Sequence, residues 1–448
     1  MFLREFSPDA NVACPKLEKT PMKRDRKIVL FDPNTRGGVC HYSFHLAEAL
    51  ADQGVDVTLI TGEDNELAHL PRHFQMIFLF KRSWVKAAAD SLTDKKSAPV
   101  TGAARTGARS GSVKNQGFFY GARRWITLSK CLALFLWRRF EAVHFQWLGE
   151  RETDYRFIRL LQWLGFKVVY TAHNVLPHND QSAPTKLFFH KLYRTVDRII
   201  VHAESLKREM LEQFALDAEK IEVVPHGAYD LFCGREGISK AASRERLGIG
   251  EDKKVLLFFG ILRRNKGLDI LLDAFETFSG RMQDAVLLVA GGGGRRSPAE
   301  YYEKLIRRLR ENPRIKFVQQ YIPTEEMELY FAAADVVVLP YRKASQSGVL
   351  LAAYGFGRAV VVTRTGGLAE AVEDGKSGLI VPPEDPAALA GVLQKVLRDP
   401  EKLESMAQYA KLLGQTKYSW TAAAAGTIEL YRSLASPAGS RPVTRAAK

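Results

Sequence analysis

The sequence predicts an α/β protein made of two doubly wound, Rossmann-like domains that face a cleft. Short apolar runs alternate with helical patterns along the chain, and this alternation starts a second time after a polar stretch at 233–252. A strand, a helix and a strand in close succession form a βαβ unit, whose two strands are parallel. The length of 448 residues is enough for two or three domains.

The first series of elements begins at Lys27–Pro33, an apolar run bounded by turn residues, as is typical of a buried strand. A turn at Gly37-Gly38 and a helical pattern follow, and Val55–Thr61 is the next predicted strand. The later predicted strands of this series are Glu141–Trp147, Phe166–His173, Asp197–Ala203 and Lys220–Gly227. We assign 26–232 to the first domain and regard 1–25, which lacks periodicity, as a loose leader.

The second series follows a predicted linker at 233–252 and forms a second domain at 253–415. Its predicted strands are Lys253–Gly260, Ala285–Gly291, Ile315–Gln319, Asp335–Pro340 and Ala359–Thr363. A helix at 416–435 closes the fold, and the tail 436–448 is predicted to be disordered.

A basic insertion interrupts the first domain at 81–140. It holds 13 basic and 2 acidic residues, and so accounts for most of the net charge of +15. Residues 87–116 are rich in Ala, Gly and Ser and predict a mobile loop. The following segment, 118–139, mixes large aromatic residues with basic ones, including Arg123, Arg124, Arg138 and Arg139. It is interpreted either as a buried helix with solvated charges or as a helix lying in an anionic membrane interface.

Several other classes of protein are disfavoured. The longest stretch without charged residues, Ala344–Gly357, has 14 residues and is too short to span a membrane. The four cysteines show no paired spacing, which argues against a disulfide framework or a zinc site. No Asp-x-Asp pair occurs that could hold a metal ion on a diphosphate. We therefore expect no metal, no cofactor and a soluble cytoplasmic protein.

One constellation of residues in the second domain points to a ligand with phosphate groups. Arg263 and Lys266 lie between a predicted strand and a helix, where both cations could contact a diphosphate. Ser345, Gln346, Ser347 and Gly348 open another helix, and the first backbone N–H groups of a helix attract anions. Gly366-Gly367 allows close approach of the backbone to a ligand. Glu370 could either bind the ligand or cap its own helix.

The passage Pro340–Ala390, together with these residues, resembles the donor-binding half of the family-4 glycosyltransferases. Enzymes of that family have the GT-B fold, use nucleotide sugars without a metal ion and retain the anomeric configuration. The first domain also resembles the family in the Gly37-Gly38 turn, in Thr171–Asp180 and in Val223–Asp230. In this fold the last helix returns to the first domain.

The resemblance implies roles for individual residues. His173, Arg263 and Lys266 are the expected catalytic residues. The expected substrate-binding residues are Gly37, Gly38, Asn174, His226, Gly291, Ser345, Gln346, Ser347, Gly348, Gly367 and Glu370. The family commonly carries two glutamates at the positions of Ala344 and Ala352, whereas this sequence resembles a branch with a Ser-Gln-Ser-Gly turn. Sugar contacts would then fall to Ser345, Gln346 and backbone amides.

The predicted function is transfer of a sugar from a nucleotide diphosphate to a hydroxyl acceptor with retention, in polysaccharide or glycolipid assembly. The acceptor candidates include a lipid-linked one, with the protein peripheral on the inner membrane face. Two alternatives remain open. A non-catalytic scaffold of the same fold would bind nucleotide without turnover, and a nucleic-acid-binding protein would use the basic insertion, although no nucleic-acid module or nucleic-acid partner is expected.

Overall fold

The computed structural model describes residues 26–80, 112–177, 180–229, 237–292 and 299–435. The predicted leader, residues 81–111 of the basic insertion and the predicted tail lie outside the described residues. Within the part of the chain that is described, no helix combines the length and the apolar character needed to cross a membrane.

The first domain is built on a sheet of seven parallel strands in the spatial order β3-β2-β1-β4-β5-β6-β7. The strands are β1 Lys27–Phe31, β2 Asp56–Gly62, β3 Gln75–Phe80, β4 Ala142–Phe145, β5 Lys167–Thr171, β6 Arg198–Val201 and β7 Ile221–Val223. The edge strand β3 is absent from the prediction, because the basic insertion and not a helical pattern follows it directly. The winding direction reverses between β1 and β4, so a crevice opens beyond the carboxyl ends of these strands.

Helices cover both faces of this sheet. They are α1 Gly38–Asp52, α2 Ser112–Arg138, α3 Arg151–Trp163, α4 Ala183–Thr195 and α5 Glu204–Phe214. Helices α2 to α5 pack on one face, and α1 packs on the other with the last helix of the chain. Central strands such as β1 are therefore buried on both sides, which explains their continuous apolar runs.

Helix α2 begins at Ser112, inside the predicted mobile loop. Its inner face buries Leu128 and Phe135 completely, as the buried-helix interpretation expects. The guanidinium of Arg124 forms a bidentate pair with the fully buried carboxylate of Asp154, at 2.8 Å. Arg124 is thus a structural cation. It is neither a solvated charge nor a membrane-facing one, as the two interpretations of 118–139 would have it.

The second domain contains six parallel strands in the order β10-β9-β8-β11-β12-β13. The strands are β8 Lys254–Phe259, β9 Ala285–Ala290, β10 Ile315–Val318, β11 Val336–Leu339, β12 Ala359–Thr363 and β13 Gly378–Val381. Strand β13 is a further edge strand that the prediction does not include. The order reverses between β8 and β11, so this domain repeats the doubly wound plan of the first.

Nine helices complete the described second half of the chain. They are α6 Lys240–Leu247, α7 Leu268–Ser279, α8 Ala299–Glu311, α9 Met327–Ala333, α10 Gly348–Gly355, α11 Gly366–Glu370, α12 Pro386–Val396, α13 Pro400–Gln415 and α14 Trp420–Ala435. Helix α6 lies within the predicted linker. The Ser239 side chain caps it by accepting from the Ala242 amide, and Leu247 packs into the second domain's core.

The last helix, α14, lies on the first domain. Its Trp420 and Tyr431 are buried beside α1, and the Tyr431 hydroxyl is 2.7 Å from Nδ1 of His144 in β4. The predicted fold class is confirmed: two parallel, doubly wound sheets meet at a cleft.

Candidate active site

In the second domain, the loop after β8 carries Arg263 and Lys266 and is linked by side-chain contacts to the start of α10. The carbonyl of Arg263 accepts from the Lys266 amide at 2.9 Å, which holds the two cationic residues in one tight turn. The Lys266 ammonium lies 3.7 Å from the centre of the Tyr341 ring, a cation–π contact. The Tyr341 hydroxyl is in turn 3.3 Å from Oγ of Ser347. The two predicted binding segments are therefore connected through a tyrosine that the sequence analysis does not single out.

The Ser345–Gly348 turn presents the N-terminus of α10. The Ser347 side chain caps this helix by accepting from the Leu350 amide at 3.3 Å. The first N–H groups of a helix have no carbonyl partner within it, and they favour negative charge. Beside the cap, Oε1 of Gln346 is buried and has no hydrogen-bond partner among the described residues. A hydroxyl group of a sugar is a suitable donor for such an oxygen.

Glycine residues hold the neighbouring loops against this turn. A Cβ on Gly367 would lie 2.2 Å from the Ser345 carbonyl oxygen and 2.9 Å from Cβ of Ala203, which belongs to the first domain. Gly291, which follows β9, has φ +151°, and a Cβ there would lie 1.9 Å from the carbonyl oxygen of Gly260. Only glycine allows these close approaches without displacing the backbone.

The two positions where the resemblance leads one to expect glutamate are apolar and enclosed. Ala344 and Ala352 are both buried in the second domain's core. Neither supplies a carboxylate, so Gln346 and Ser347 are the polar side chains that this region turns toward the first domain.

On the first domain, a cluster of imidazoles follows three neighbouring strands. His173, His202 and His226 come after β5, β6 and β7, and the centre of each ring lies 4.9 Å from the ring centre of Tyr42 in α1. Nε2 of His202 is 3.2 Å from Nδ1 of His173. Nε2 of His173 is buried and lacks a hydrogen-bond partner in the described part of the chain. His173 thus keeps an unsatisfied polar atom, but unlike Gln346 it does not line the pocket between the two domains and reaches the lining through its contact with His202.

Burial keeps these histidines neutral. Loss of hydration lowers the pKa of His202 to about 4 and that of His226 to about 3, and it lowers the pKa of His173 well below the ordinary value. Mutual repulsion between the rings adds to the effect on His173 and His226. A neutral imidazole can donate or accept a hydrogen bond, so the cluster is suited to holding hydroxyl groups and not to binding phosphate by charge.

The Gly37-Gly38 turn and Glu66 form a bridge from the first domain to the second. Gly37 has φ +81° and donates its amide to Oε1 of Glu66 at 2.7 Å, and Nε2 of His41 lies 2.9 Å from the same oxygen. The other carboxylate oxygen accepts from the hydroxyl of Tyr321 in the second domain at 2.8 Å. Burial raises the pKa of Glu66, but these hydrogen bonds outweigh it and hold the pKa below its usual range. Gly38 has open space where a Cβ would be.

Glu370 forms a second bridge between the domains. Its two carboxylate oxygens accept from the backbone amides of Glu204 and Ser205 at 2.7 and 2.9 Å, so Glu370 caps α5 of the first domain. The alternative that it caps its own helix is wrong, because Glu370 is the last residue of α11. The charge on Glu370 thus links α11 of the second domain to α5 of the first in this structure.

A pocket lies between the starts of α10 and α11 in the second domain and the loops after β6 and β7 in the first, and none of the expected catalytic residues His173, Arg263 and Lys266 lines it. Its lining includes His202, His226, Gln346, Ser347, Gly367 and Tyr418. These residues come from both domains, and no lining residue of this pocket carries a carboxylate. Asn174 lies beside His173 in the loop after β5 and is partly exposed.

His202 is the main residue that the sequence analysis missed. The signal was present: each of the strands β5, β6 and β7 is followed within three residues by a histidine. Parallel neighbouring strands end at one edge of a sheet, so histidines that follow three adjacent strands are brought together.

Comparisons with known proteins agree with this architecture. The model "Glycosyltransferase Family 4" matches residues 36–229, and the model "Glycosyl transferases group 1" matches 239–413. A D-inositol 3-phosphate glycosyltransferase of Corynebacterium urealyticum is 34% identical over 293 residues, which covers 62% of this chain and 68% of that protein. The enzyme of the same name from Corynebacterium jeikeium is 33% identical over 287 residues, covering 61% of this chain and 68% of the relative.

Solved structures show the same fold at lower sequence identity. Sucrose-phosphate synthase from Thermosynechococcus elongatus superposes with a TM-score of 0.68 at 22% identity, covering 91% of this chain and 99% of that one. Anabaena HepE in complex with UDP and glucose also gives 0.68, at 17% identity, covering 91% of this chain and 100% of the other. The chain belongs to the glycosyltransferases of the family-4 type, enzymes with the GT-B fold.

Proposed function

We propose that this glycosyltransferase moves a sugar from a nucleoside diphosphate to a hydroxyl acceptor and retains the anomeric configuration. One observation carries the proposal: the Ser345–Gly348 turn, joined to Lys266 through Tyr341, borders the same pocket as the first-domain histidines. Lys266, which is linked to the turn through Tyr341 and does not itself line the pocket, suits the diphosphate, and the neutral imidazoles suit the sugar hydroxyls.

The proposed chemistry depends on negative charge that develops as the sugar–phosphate bond breaks. Arg263, Lys266 and the amides at the start of α10 would stabilise that charge, without need of a metal ion. Charge-assisted hydrogen bonds contribute roughly 1.5–3 kcal/mol each, so two contribute about 3–6. Enzymatic rate enhancements require at least about 8 kcal/mol. Holding donor and acceptor together in a closed cleft can supply roughly 7–11 kcal/mol, which explains the need for two domains.

The lining of the pocket supports retention without a covalent sugar–enzyme intermediate. No carboxylate lines the pocket, and both oxygens of nearby Glu370 are occupied by backbone amides. In the proposed reaction the acceptor therefore attacks from the face that the diphosphate leaves, and the departing phosphate takes the acceptor's proton. His173 holds sugar hydroxyls through Nε2.

Two classes of acceptor are proposed for the test. The relatives named for D-inositol 3-phosphate support a phosphorylated polyol. The basic insertion supports a lipid-linked acceptor used in polysaccharide or glycolipid assembly, with the protein peripheral on the inner face of the membrane.

The experiment is an assay of nucleoside diphosphate release from a panel of nucleotide sugars, with inositol phosphate or a membrane lipid extract as acceptor. We expect turnover of at least one donor, and a product whose anomeric configuration, measured by NMR, matches that of the donor. Lys266→Ala should lower kcat/KM about 10- to 100-fold, as loss of one charge-assisted hydrogen bond implies. Lys395→Ala, which removes an exposed lysine of α12, is the matched control. No turnover of any donor, or unchanged kcat/KM in Lys266→Ala, would contradict the proposal.

A further inference from the structure

The outer surface of α2 and α3 exposes large aromatic and basic side chains together. On α2, Trp137 is 77% exposed and Leu136 is 52% exposed, and on α3 Trp163 is 81% exposed. Single exposed apolar residues are ordinary, but several together mark an interaction site. The two tryptophans end two adjacent helices of the same layer.

The ends of α2 and α3 are joined by a shallow groove. It is lined by Leu136 of α2, by Arg139 and Phe140 after that helix, and by Leu164 and Phe166 after α3. On the inner side, the ring of Phe135 packs against Phe140 and Phe166, with ring centres 5.8 and 6.2 Å apart. The groove thus has a packed aromatic base, and Trp137 and Trp163 are the sequence neighbours of its lining residues Leu136 and Leu164.

The charges on this surface are mainly positive, although α3 also carries the exposed Glu152, four positions before Arg156. Helix α2 contains no acidic residue over its 27 positions. Lys130 of α2 and Arg156 and Arg159 of α3 are exposed, and Arg156, Arg159 and Trp163 share one face of α3 because they are three or four positions apart. Tryptophan and arginine side chains combine an apolar body with a polar end, which suits them to the boundary between water and lipid.

We propose that this surface, formed by the outer faces of α2 and α3, binds an anionic lipid bilayer. The tryptophans enter the interface, and Lys130, Arg139, Arg156 and Arg159 contact lipid phosphates. A second copy of the chain fits less well, because a two-fold interface would bring identical cationic patches together. Helix α2 precedes β4 and α3 follows it, so both helices end, with Trp137 and Trp163, at the edge of the sheet opposite the cleft. Lying flat on the bilayer, they leave the cleft opening along the membrane surface, accessible to a lipid acceptor.

The test is co-sedimentation of the full chain with phosphatidylcholine vesicles, with or without phosphatidylglycerol. We expect binding to the anionic vesicles only. The triple variant Lys130→Glu, Arg156→Glu, Arg159→Glu should lose at least about 100-fold in affinity, at roughly fivefold per basic residue near the surface. The double variant Trp137→Ala, Trp163→Ala should lose about 10-fold or more. Both variants should keep the unfolding temperature of the parent, because the five side chains are exposed.

Controls come from exposed residues of the second domain. Leu412→Ala on α13 matches the loss of apolar surface, and Arg398→Glu matches the change of charge. Both should bind vesicles like the parent. The proposal would be overturned by absence of binding to anionic vesicles or by unchanged binding of the double tryptophan variant. It would also be overturned if light scattering showed a tryptophan-dependent dimer that does not bind vesicles. This inference rests on the proposed peripheral placement of the protein; because the experiment contains no nucleotide sugar, its failure would remove that placement and leave the proposed sugar transfer untouched.

Discussion

Acid should destabilise the first domain strongly between pH 7 and pH 5, because its buried histidines must take up protons on unfolding. Burial lowers the pKa of His45, His144 and His226 to about 3 and that of His202 to about 4. In the unfolded chain a histidine has a pKa of about 6.5. The unfolded state therefore binds more protons below that pH, and the free energy of unfolding falls as the pH falls.

The size of the effect follows from linkage. Each histidine with these two pKa values lowers the free energy of unfolding by about 1.9 kcal/mol between pH 7 and pH 5. Burial raises the pKa of Asp32 to about 6, so this carboxyl takes up its proton in the folded state and offsets about 1.4 kcal/mol. The net loss is about 6 kcal/mol, which is comparable to the whole stability of many domains. The lowered pKa of His173 acts in the same direction.

Urea denaturation followed by circular dichroism at pH 7, 6 and 5 measures this loss. His45→Phe is the informative variant, because Nε2 of His45 has no hydrogen-bond partner among the described residues and its ring stacks on Trp420. That variant should reduce the pH-dependent loss by about 1.9 kcal/mol. His69→Gln changes an exposed histidine and should leave the pH dependence as it is. A urea midpoint that is equal at pH 7 and pH 5, or the same pH dependence in His45→Phe and the parent, would refute the reasoning.

Three further predictions concern single residues. Arg124→Met should lower the free energy of unfolding by about 3–5 kcal/mol, because it leaves the buried carboxylate of Asp154 without its cation. Urea denaturation measures this loss, and a change below about 1 kcal/mol would contradict the pairing. Gly291→Ala should fail to fold stably, since its Cβ would overlap the carbonyl oxygen of Gly260. Gly38→Ala has room for the Cβ and should keep the melting temperature of the parent, but it should lose activity if the acceptor approaches at Gly38. Full activity in Gly38→Ala would remove that glycine from the site. Glu370→Gln keeps the shape of the side chain but removes its charge and so weakens the cap on α5. We expect a more open cleft by small-angle X-ray scattering and a raised KM for the donor. Scattering and KM identical to those of the parent would show that the bridge has no role.

The sequence alone determined the two doubly wound domains, because apolar runs and helical patterns depend only on local spacing. It also predicted the loops of the candidate site, since ligands of parallel sheets bind beyond the carboxyl ends of the strands. The turn at Ser345–Gly348 and the Gly37-Gly38 turn are recognisable without coordinates. The strands β3 and β13 were missed, because β3 leads directly into the basic insertion and β13 is a run of only four residues.

Tertiary structure decided which of these residues meet. The sequence shows Glu370 as a carboxylate near a predicted helix, and only packing places both its oxygens on the amides of α5 in the other domain. Arg124 appears as one more cation in a basic segment, yet its pairing with Asp154 makes it structural. Contacts between residues far apart in the chain depend on how whole layers pack, and local patterns carry no information about those distances.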